Sequence, residues 1–231
     1  VCGSHDMMTV LDLGTQPLAN DFADSILKSM SLEQHPLKLM RCKKCHHAQL
    51  SVVIDRSRLF SDYSYQSGTS QTLANHFSFI AHKVARETGK ATGGTVIEIA
   101  SNDGSQLDKF KEMQWHTYGV DPAANLAKIA EQKGHRVFVG FWGKDYFPDL
   151  PSPDQTDAII AQNVLAHTGT PIDFLRDCKA AMGPNTRLYL QTSQCEMFQS
   201  GQFDTVYHEH VSFFSAHSFK TAAELAGLAI V

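Results

Sequence analysis

The sequence predicts an α/β protein: a parallel sheet covered on both faces by helices, preceded by a small cysteine-bearing module. Three observations carry this. From Thr95 onward, apolar β-forming runs alternate with segments of helical spacing, the pattern of a parallel sheet. The run Val96-Ile-Glu-Ile-Ala-Ser-Asn-Asp-Gly104 takes a buried strand into a polar, glycine-ended turn. Cys2, Cys42 and Cys45 all fall within the first 57 residues, at spacings that suit a metal. A chain of 231 residues with 42% hydrophobic content suffices for one large domain, or a domain with an appendage.

Residues 1–57 are rich in Cys, His, Lys and Met and lack a sustained period. Cys42-Lys-Lys-Cys45 is a C-x-x-C knuckle, and Cys2-Gly3 reads as the tail of a second. Two knuckles make a four-thiolate zinc site, closed and structural rather than catalytic. The first cysteine of that second knuckle would lie ahead of Val1; His5, His46 or His47 could complete the set instead. A metal-free thiol pair is the competing reading. A redox C-x-x-C is disfavoured, since this one does not open a helix after a strand.

Residues 58–94 form a connector. Leu73, Phe77, Ile80 and Val84 recur at helical spacing and predict a helix within 72–87, and Lys90–Gly94 leads into the first strand. Residues 95–231 form the main domain. Strands are expected at 95–100, 117–121, 136–139, 157–162, 186–192 and 228–231, and helices at 105–114, 123–133, 171–182 and 217–226. Cys178 and Cys195 fall here and read as buried fillers.

Ligands of such sheets sit at the carboxyl ends of the strands. There the first strand ends in Ser101-Asn-Asp-Gly104, Asp103 or Ser105 can cap the next helix, and the second strand ends in Asp121. A β-turn-α-β unit with an acid at the second strand's tip is a nucleoside-binding geometry, the carboxylate accepting both ribose hydroxyls. A dinucleotide fold wants G-x-G-x-x-G against a pyrophosphate. Here Ala100, Asn102 and Gly104 stand at the comparable places, with Glu98 upstream. One glycine and added acids suit a ligand with a cationic amino-acid part and no phosphate, such as S-adenosylmethionine. A ligand-free α/β turn is the alternative, and an NAD-dependent α/β enzyme is a second one that Ala100 and Asn102 argue against. Phe141 and Trp142 follow the third strand, where they could flank an adenine or pack in the core.

Tyr207-His-Glu-His210 concentrates acid–base groups after the fifth strand, and His167 lies at the fourth strand's tip. A histidine tuned by a carboxylate, with a tyrosine to stabilise an oxyanion, could take a proton from a carbon next to a ketone. His208 and His210 binding a metal with Glu209, or a merely structural polar loop, are the competing readings. Val211–Ser215 is apolar and could wall a pocket. Net charge of −4 without a basic run argues against nucleic acid and anionic membrane as partners. No apolar stretch spans a bilayer and no signal peptide is visible, so a cytoplasmic location is expected. The oligomeric state is not legible.

Taken in order, these pieces resemble a family. Cys2-Gly3, Asp12-Leu-Gly-Thr-Gln-Pro-Leu-Ala-Asn20, Cys42–Cys45 with Gln49-Leu50, Tyr63-Ser-Tyr65, Ser67-Gly-Thr-Ser70, Glu98-Ile-Ala-Ser-Asn-Asp-Gly104, Asn163-Val-Leu-Ala-His167 and Tyr207-His-Glu-His210 run nearly the full chain. The chain is similar to sugar C-methyltransferases that act on nucleotide-linked 4-keto-deoxysugars. The resemblance implies a zinc-binding N-terminal module and a Rossmann-like class I methyltransferase sheet that binds S-adenosylmethionine. It implies structural zinc on Cys2, Cys42 and Cys45. It places the cofactor at Glu98, Ser101, Asn102, Asp103, Gly104, Asp121, Pro122, Phe141, Trp142 and Asn163. It makes His210 the base, with Tyr207, Glu209, His167 and Tyr65 positioning the sugar and stabilising the enolate. Family members continue into a C-terminal domain that helps hold the nucleotide-sugar, which this sequence is expected to lack. A non-catalytic S-adenosylmethionine- and zinc-binding module is the alternative function.

Overall fold

The computed structural model describes residues 1–143, 145 and 147–231, with the side chains of Cys195, Phe198 and Phe203 outside the description. The elements in chain order are β1 (Met7–Gln16), α1 (Ile26–Ser29), β2 (His35–Cys42), β3 (Ala48–Leu50), α2 (Arg56–Phe60), α3 (Gln71–Thr88), β4 (Thr95–Ile99) and α4 (Ser105–Glu112). There follow β5 (His116–Asp121), α5 (Ala124–Gln132), β6 (Arg136–Val139), β7 (Ala158–Gln162), α6 (Pro171–Ala180), β8 (Arg187–Gln191), β9 (Ser212–Phe213) and α7 (Ala216–Leu225). They fall into two compact units that interleave along the chain. One comprises Val1–Leu59, Leu165–Leu175 and Thr192–Val231; the other comprises Phe60–Val164 and Arg176–Gln191.

The second unit holds a five-stranded parallel sheet in the order β6-β5-β4-β7-β8. Val96, Ile97 and Ile99 in β4 and Ala158–Ala161 in β7 are buried on both faces, as a covered parallel sheet requires. The order runs outward from β4 to β6, then resumes on the other flank with β7. This reversal opens the crevice where such sheets take ligands. Helix α3 starts where Ser70 Oγ accepts Leu73 N and ends at Gly89, whose φ of 71° stops it. Its buried face, Phe77, Ala81, Val84 and Ala85, follows the expected spacing. Ala81, Val84 and Ala85 join Val96, Leu107, Phe110, Trp115, Ala158 and Ile160 in one apolar core.

The first unit holds an antiparallel sheet in the order β1-β2-β3-β9. Met7 pairs with Cys42 and Gln16 with His35 across β1 and β2, and Ala48 pairs with Phe213 across β3 and β9. Leu37, Leu39, Ala48, Leu50, Val206 and Phe213 form its core. Within Val211–Ser215, Ser212 and Phe213 form β9, and Phe213 and Phe214 are fully buried.

The expected elements of the parallel sheet stand within two residues of their observed ends, with one correction. Residues 228–231 form no strand; Ile230 and Val231 are exposed. A four-residue apolar run has β propensity but no ladder unless a neighbour pairs with it. Among the described residues, no helix is long and apolar enough to cross a membrane.

Gly104 has a φ of 77°, and a Cβ there would lie 2.8 Å from His135 Cδ2 and 2.9 Å from Ala130 Cβ. Gly104→Ala should therefore destabilise the protein by about 1–3 kcal/mol, from left-handed strain and overpacking together. Urea denaturation reads this as a lower midpoint at constant slope. An unmoved midpoint would contradict the close approach.

Candidate functional site

The turn after β4 has an unusual backbone. Ala100, Asn102 and Gly104 take φ values of 58°, 51° and 77°. The three places compared above with a dinucleotide-fold glycine pattern are thus all left-handed, two of them without glycine. Such positions cost about 1–3 kcal/mol for non-glycine residues and persist only when the surroundings impose them. Here Asp121 does so: its Oδ2 accepts Asn102 N at 2.8 Å and its Oδ1 accepts Ala123 N at 2.8 Å. The acid at the tip of β5 thus braces the turn after β4 and the start of α5.

Three further acids crowd this edge. Burial pushes the Glu98 carboxyl well above its ordinary value, and the negative charges of Asp121, Asp103 and Asp108 push it the same way. Burial also raises Asp121, against the two backbone N–H groups it accepts. Among the described residues, Glu98 Oε2 and Ser101 Oγ are buried without a hydrogen-bond partner. A desolvated acid cluster beside unsatisfied polar atoms repels a pyrophosphate and suits a cationic, phosphate-free ligand. The residues present therefore fit S-adenosylmethionine.

The same unit straps Tyr63–Thr69 to this turn. Asn102 Nδ2 donates to Tyr65 O at 3.0 Å, Ser67 N donates to Asn102 Oδ1 at 3.0 Å, and Gly68 N donates to Asp103 Oδ2 at 3.0 Å. Asn125 Nδ2 donates to Tyr63 O at 2.8 Å. Nothing in the residue types alone announced these asparagine bridges. The Tyr65 ring is exposed. Pro122 follows Asp121, and Asn163, with φ of 54°, donates its N–H to Gln191 O at 2.9 Å. Phe141 N donates to Asp145 Oδ2 at 2.7 Å. Trp142 is half-buried beside Cys178, whose thiol is raised chiefly by burial, as a filler's would be. The Cys195 side chain lies outside the described residues.

In the other unit, His167, Tyr207, Glu209 and His210 come together. The His210 Nδ1 atom lies 2.9 Å from Thr205 O, and a carbonyl can only accept, so Nδ1 carries the proton. Nε2 is then the basic nitrogen, and Tyr207 Oη stands 3.2 Å from it. Burial lowers the His210 pKa, against the Thr205 carbonyl, which favours the charged form. The His167 ring packs edge-on at 4.9 Å, and its pKa falls to about 3, first through burial and then through His210. Burial and then the charge of Glu209 raise Tyr207 to about 12. Glu209 is buried, and Asn20 Nδ2 donates to its Oε1. His208 does not join: it is buried against the His35 ring at 5.8 Å, with Nε2 3.3 Å from Pro36 O. Among the described residues, His208, Glu209 and His210 form no metal-holding group.

The thiols of Cys2, Cys42 and Cys45 do form one, all within 4.8 Å of one another, with Cys2 and Cys42 sulfurs 3.6 Å apart. A tetrahedral zinc with Zn–S bonds near 2.3 Å holds its sulfurs about 3.8 Å apart, so three thiolates fit three vertices. The Cys42 thiol is brought down to about 7, chiefly by the backbone N–H of Cys45, while burial raises Cys45. His5, His46 and His47 do not complete the set among the described residues. His46 Nδ1 accepts Arg41 Nη2 at 2.8 Å, and His47 Nε2 bonds Ser212 Oγ at 3.2 Å.

Comparison with known proteins covers both parts of the chain. The family model described as methyltransferase domain matches residues 73–231, and a zinc binding domain model matches residues 1–60. The chain is 27% identical over 233 residues to C-methyltransferase NovU of Streptomyces niveus, across 100% of its own length but 56% of that protein's. It thus spans little more than half of that relative. Among solved structures it resembles a S-adenosylmethionine-dependent methyltransferase from Leishmania major, with TM-score 0.55 and 13% identity, over 71% of this chain and 66% of that one. It also resembles one from Aquifex aeolicus, with TM-score 0.53 and 20% identity, over 73% and 91% respectively. At these identities the structural likeness establishes the fold alone: a Rossmann-like methyltransferase sheet. The cofactors of this two-part architecture are S-adenosylmethionine and zinc.

Two measurements test the site. The purified protein should carry zinc by elemental analysis, and Cys45→Ser should lose it together with thermal stability; full stability without metal would remove zinc's structural role. His167, held neutral when folded, binds its proton only in the unfolded chain between pH 6.5 and about 3. Stability should therefore fall as pH drops through that window, with His167→Gln showing a shallower slope. Equal slopes would contradict the burial of His167 as a neutral group.

Proposed function

The chain belongs to the methyltransferase-domain family, and from that premise we propose that it C-methylates the carbon next to the ketone of a nucleotide-linked deoxysugar through an enolate. The observation that carries this reading is the His210 tautomer. With Nδ1–H donated to Thr205 O at 2.9 Å, the lone pair of Nε2 faces Tyr207 Oη at 3.2 Å, a base and an oxyanion partner side by side. The low His210 pKa keeps this nitrogen unprotonated at neutral pH.

In this reading Nε2 of His210 takes the proton α to the ketone, and the electrons of the C–H bond move onto the carbonyl oxygen. Tyr207 donates its O–H to the developing enolate. Its pKa near 12 keeps that proton on the phenol until then. His167, neutral beside His210, places no second cation against the imidazolium that forms. Glu209 supplies the compensating negative charge, and Tyr65 contacts the sugar. Bound S-adenosylmethionine supplies the electrophilic methyl that the carbanion takes. Glu98, Ser101, Asn102, Asp103 and Gly104 would hold its methionine part, Asp121 and Pro122 its ribose, and Phe141, Trp142 and Asn163 its adenine side. We place the activity in the cytoplasm, a reading supported by Cys2, Cys42, Cys45 and Cys178 standing outside any disulfide. The likeness to a protein named as a C-methyltransferase supports carbon over oxygen or nitrogen as acceptor.

Calorimetric titration with S-adenosylhomocysteine should show one site in the micromolar range, weakened by Asp121→Ala; no binding by folded protein would refute the cofactor reading. His210→Ala should lower kcat by about 10²–10⁴ while leaving that affinity within twofold. Because the base must be neutral, kcat/KM should stay level as pH falls to 6.5 and decline only below it. A limb at or above pH 6.5 would remove His210 as the base.

A further inference from the structure

The stretch Asp12–Asn20 belongs to the motif series of this chain, yet no chemistry above uses it. It ends in an ordered turn: Leu18 is buried, and Asp21 N donates to Leu18 O at 3.3 Å. From that turn the Asn20 side chain reaches 189 residues along the sequence and donates its amide Nδ2–H to Glu209 Oε1. The acceptor is no surface carboxylate, for Glu209 is 2% exposed and sits between His208 and His210. Its charge is felt by Tyr207, whose hydroxyl is in turn within bonding distance of His210 Nε2.

We propose that Asn20 is a positioning residue for the proton-abstracting cluster: its amide fixes the Glu209 carboxylate so that Tyr207 and His210 keep their mutual geometry. The proposal rests on the methyl-transfer reading above. The choice of an amide has a physical logic. A lysine or arginine would satisfy the same oxygen but place a cation in the cluster, working against the imidazolium that forms on His210. A serine or threonine hydroxyl is too short to span the same gap from the same backbone position. An asparagine amide is the shortest neutral donor with reach, and its planar group leaves few rotamers to freeze. The burial of Glu209 makes the donor more than decorative, since a buried carboxylate oxygen that loses a donor pays part of its desolvation cost uncompensated.

The test compares Asn20→Ala, Asn20→Asp, Glu209→Gln and Asn20→Ala/Glu209→Gln with the unmodified chain. A nucleoside-diphosphate 4-keto-deoxysugar is the probe. Three readouts are taken: kcat and KM, hydrogen–deuterium exchange at the carbon next to the ketone without methyl donor, and S-adenosylhomocysteine affinity. Asn20→Ala should lower kcat and the exchange rate together by about 10–100-fold, the scale of a slightly misplaced catalytic group. Its cofactor affinity should stay within twofold. Asn20→Asp, facing a second carboxylate, should be slower still at neutral pH and recover activity as pH falls and one of the pair takes a proton. The double variant should be no slower than Glu209→Gln alone, because Asn20 acts only through the carboxylate that Glu209→Gln removes. Wild-type exchange by Asn20→Ala, or multiplicative losses in the double variant, would overturn the proposal while leaving the methyl-transfer reading intact. Loss of cofactor affinity in parallel with turnover would show Asn20 to be merely structural. An unmodified chain that folds and binds cofactor but neither exchanges nor methylates would overturn both readings.

Discussion

One carboxylate braces the carboxyl edge of the parallel sheet. Asp121 closes β5 and accepts two backbone N–H groups, one from Asn102 in the turn after β4 and one from Ala123 ahead of α5. Two strands of the sheet and one helix are tied at that point. The left-handed backbone at Ala100 and Asn102 is tenable because the Asn102 N–H has a fixed, charged acceptor. Asn102 then uses its side chain to hold Ser67 and Tyr65, so the strap from Tyr63 to Thr69 depends on the same carboxylate at one remove. Each of these two oxygens keeps a further lone pair beyond the backbone N–H it accepts. The edge also gathers acids that oppose one another's ionisation.

A second chain of dependence runs through the other unit. The knuckle that holds Cys42 and Cys45 leads within three residues into β3, and β3 pairs directly with β9. Leu50 N donates to Val211 O at 2.9 Å, and His47 bonds Ser212. His210 therefore lies next to residues whose backbone is held by the strand that leaves the thiol cluster. Zinc held by these thiols would be structural in a specific sense: it would fix the start of a strand whose partner follows His210. That segment alone is mostly loop, and the Thr205 carbonyl that sets the His210 tautomer comes from the same loop.

The parallel sheet was legible because its strands are short apolar runs buried on both faces and its helices have clear apolar faces; both signals are local. The turn was legible from residue type, since Asn102, Asp103 and Gly104 favour the conformations they adopt. The antiparallel sheet was not. Most of β1 faces solvent and shows no alternation, and β9 has only two residues whose strand character exists because β3 lies beside them. Leu228–Val231 failed the other way, a local propensity without a partner. At the site, His167, Tyr207, Glu209 and His210 could be named from chemistry, yet His208 could not be set apart from His210. Which of two histidines two residues apart faces a tyrosine and which faces Pro36 is decided by backbone torsions. Histidine completion of the thiol set failed for a similar reason: His46 and His47 adjoin Cys45 but turn to Arg41 and Ser212.

The interleaving of the two units bears on how the chain is made. The unit with the thiol cluster draws on Val1–Leu59, Leu165–Leu175 and Thr192–Val231, so the chain passes between units four times. A ribosome releasing this chain from its amino end delivers β1, β2 and β3 long before β9 exists to cover Ala48 and Leu50. Until then β3 presents an open edge to solvent. The parallel sheet, by contrast, lacks only β8 once residue 164 has emerged. Early zinc capture would thus act during synthesis as a clasp on an unfinished sheet. No single cut in the chain yields either unit whole, so evolution can exchange the two only together.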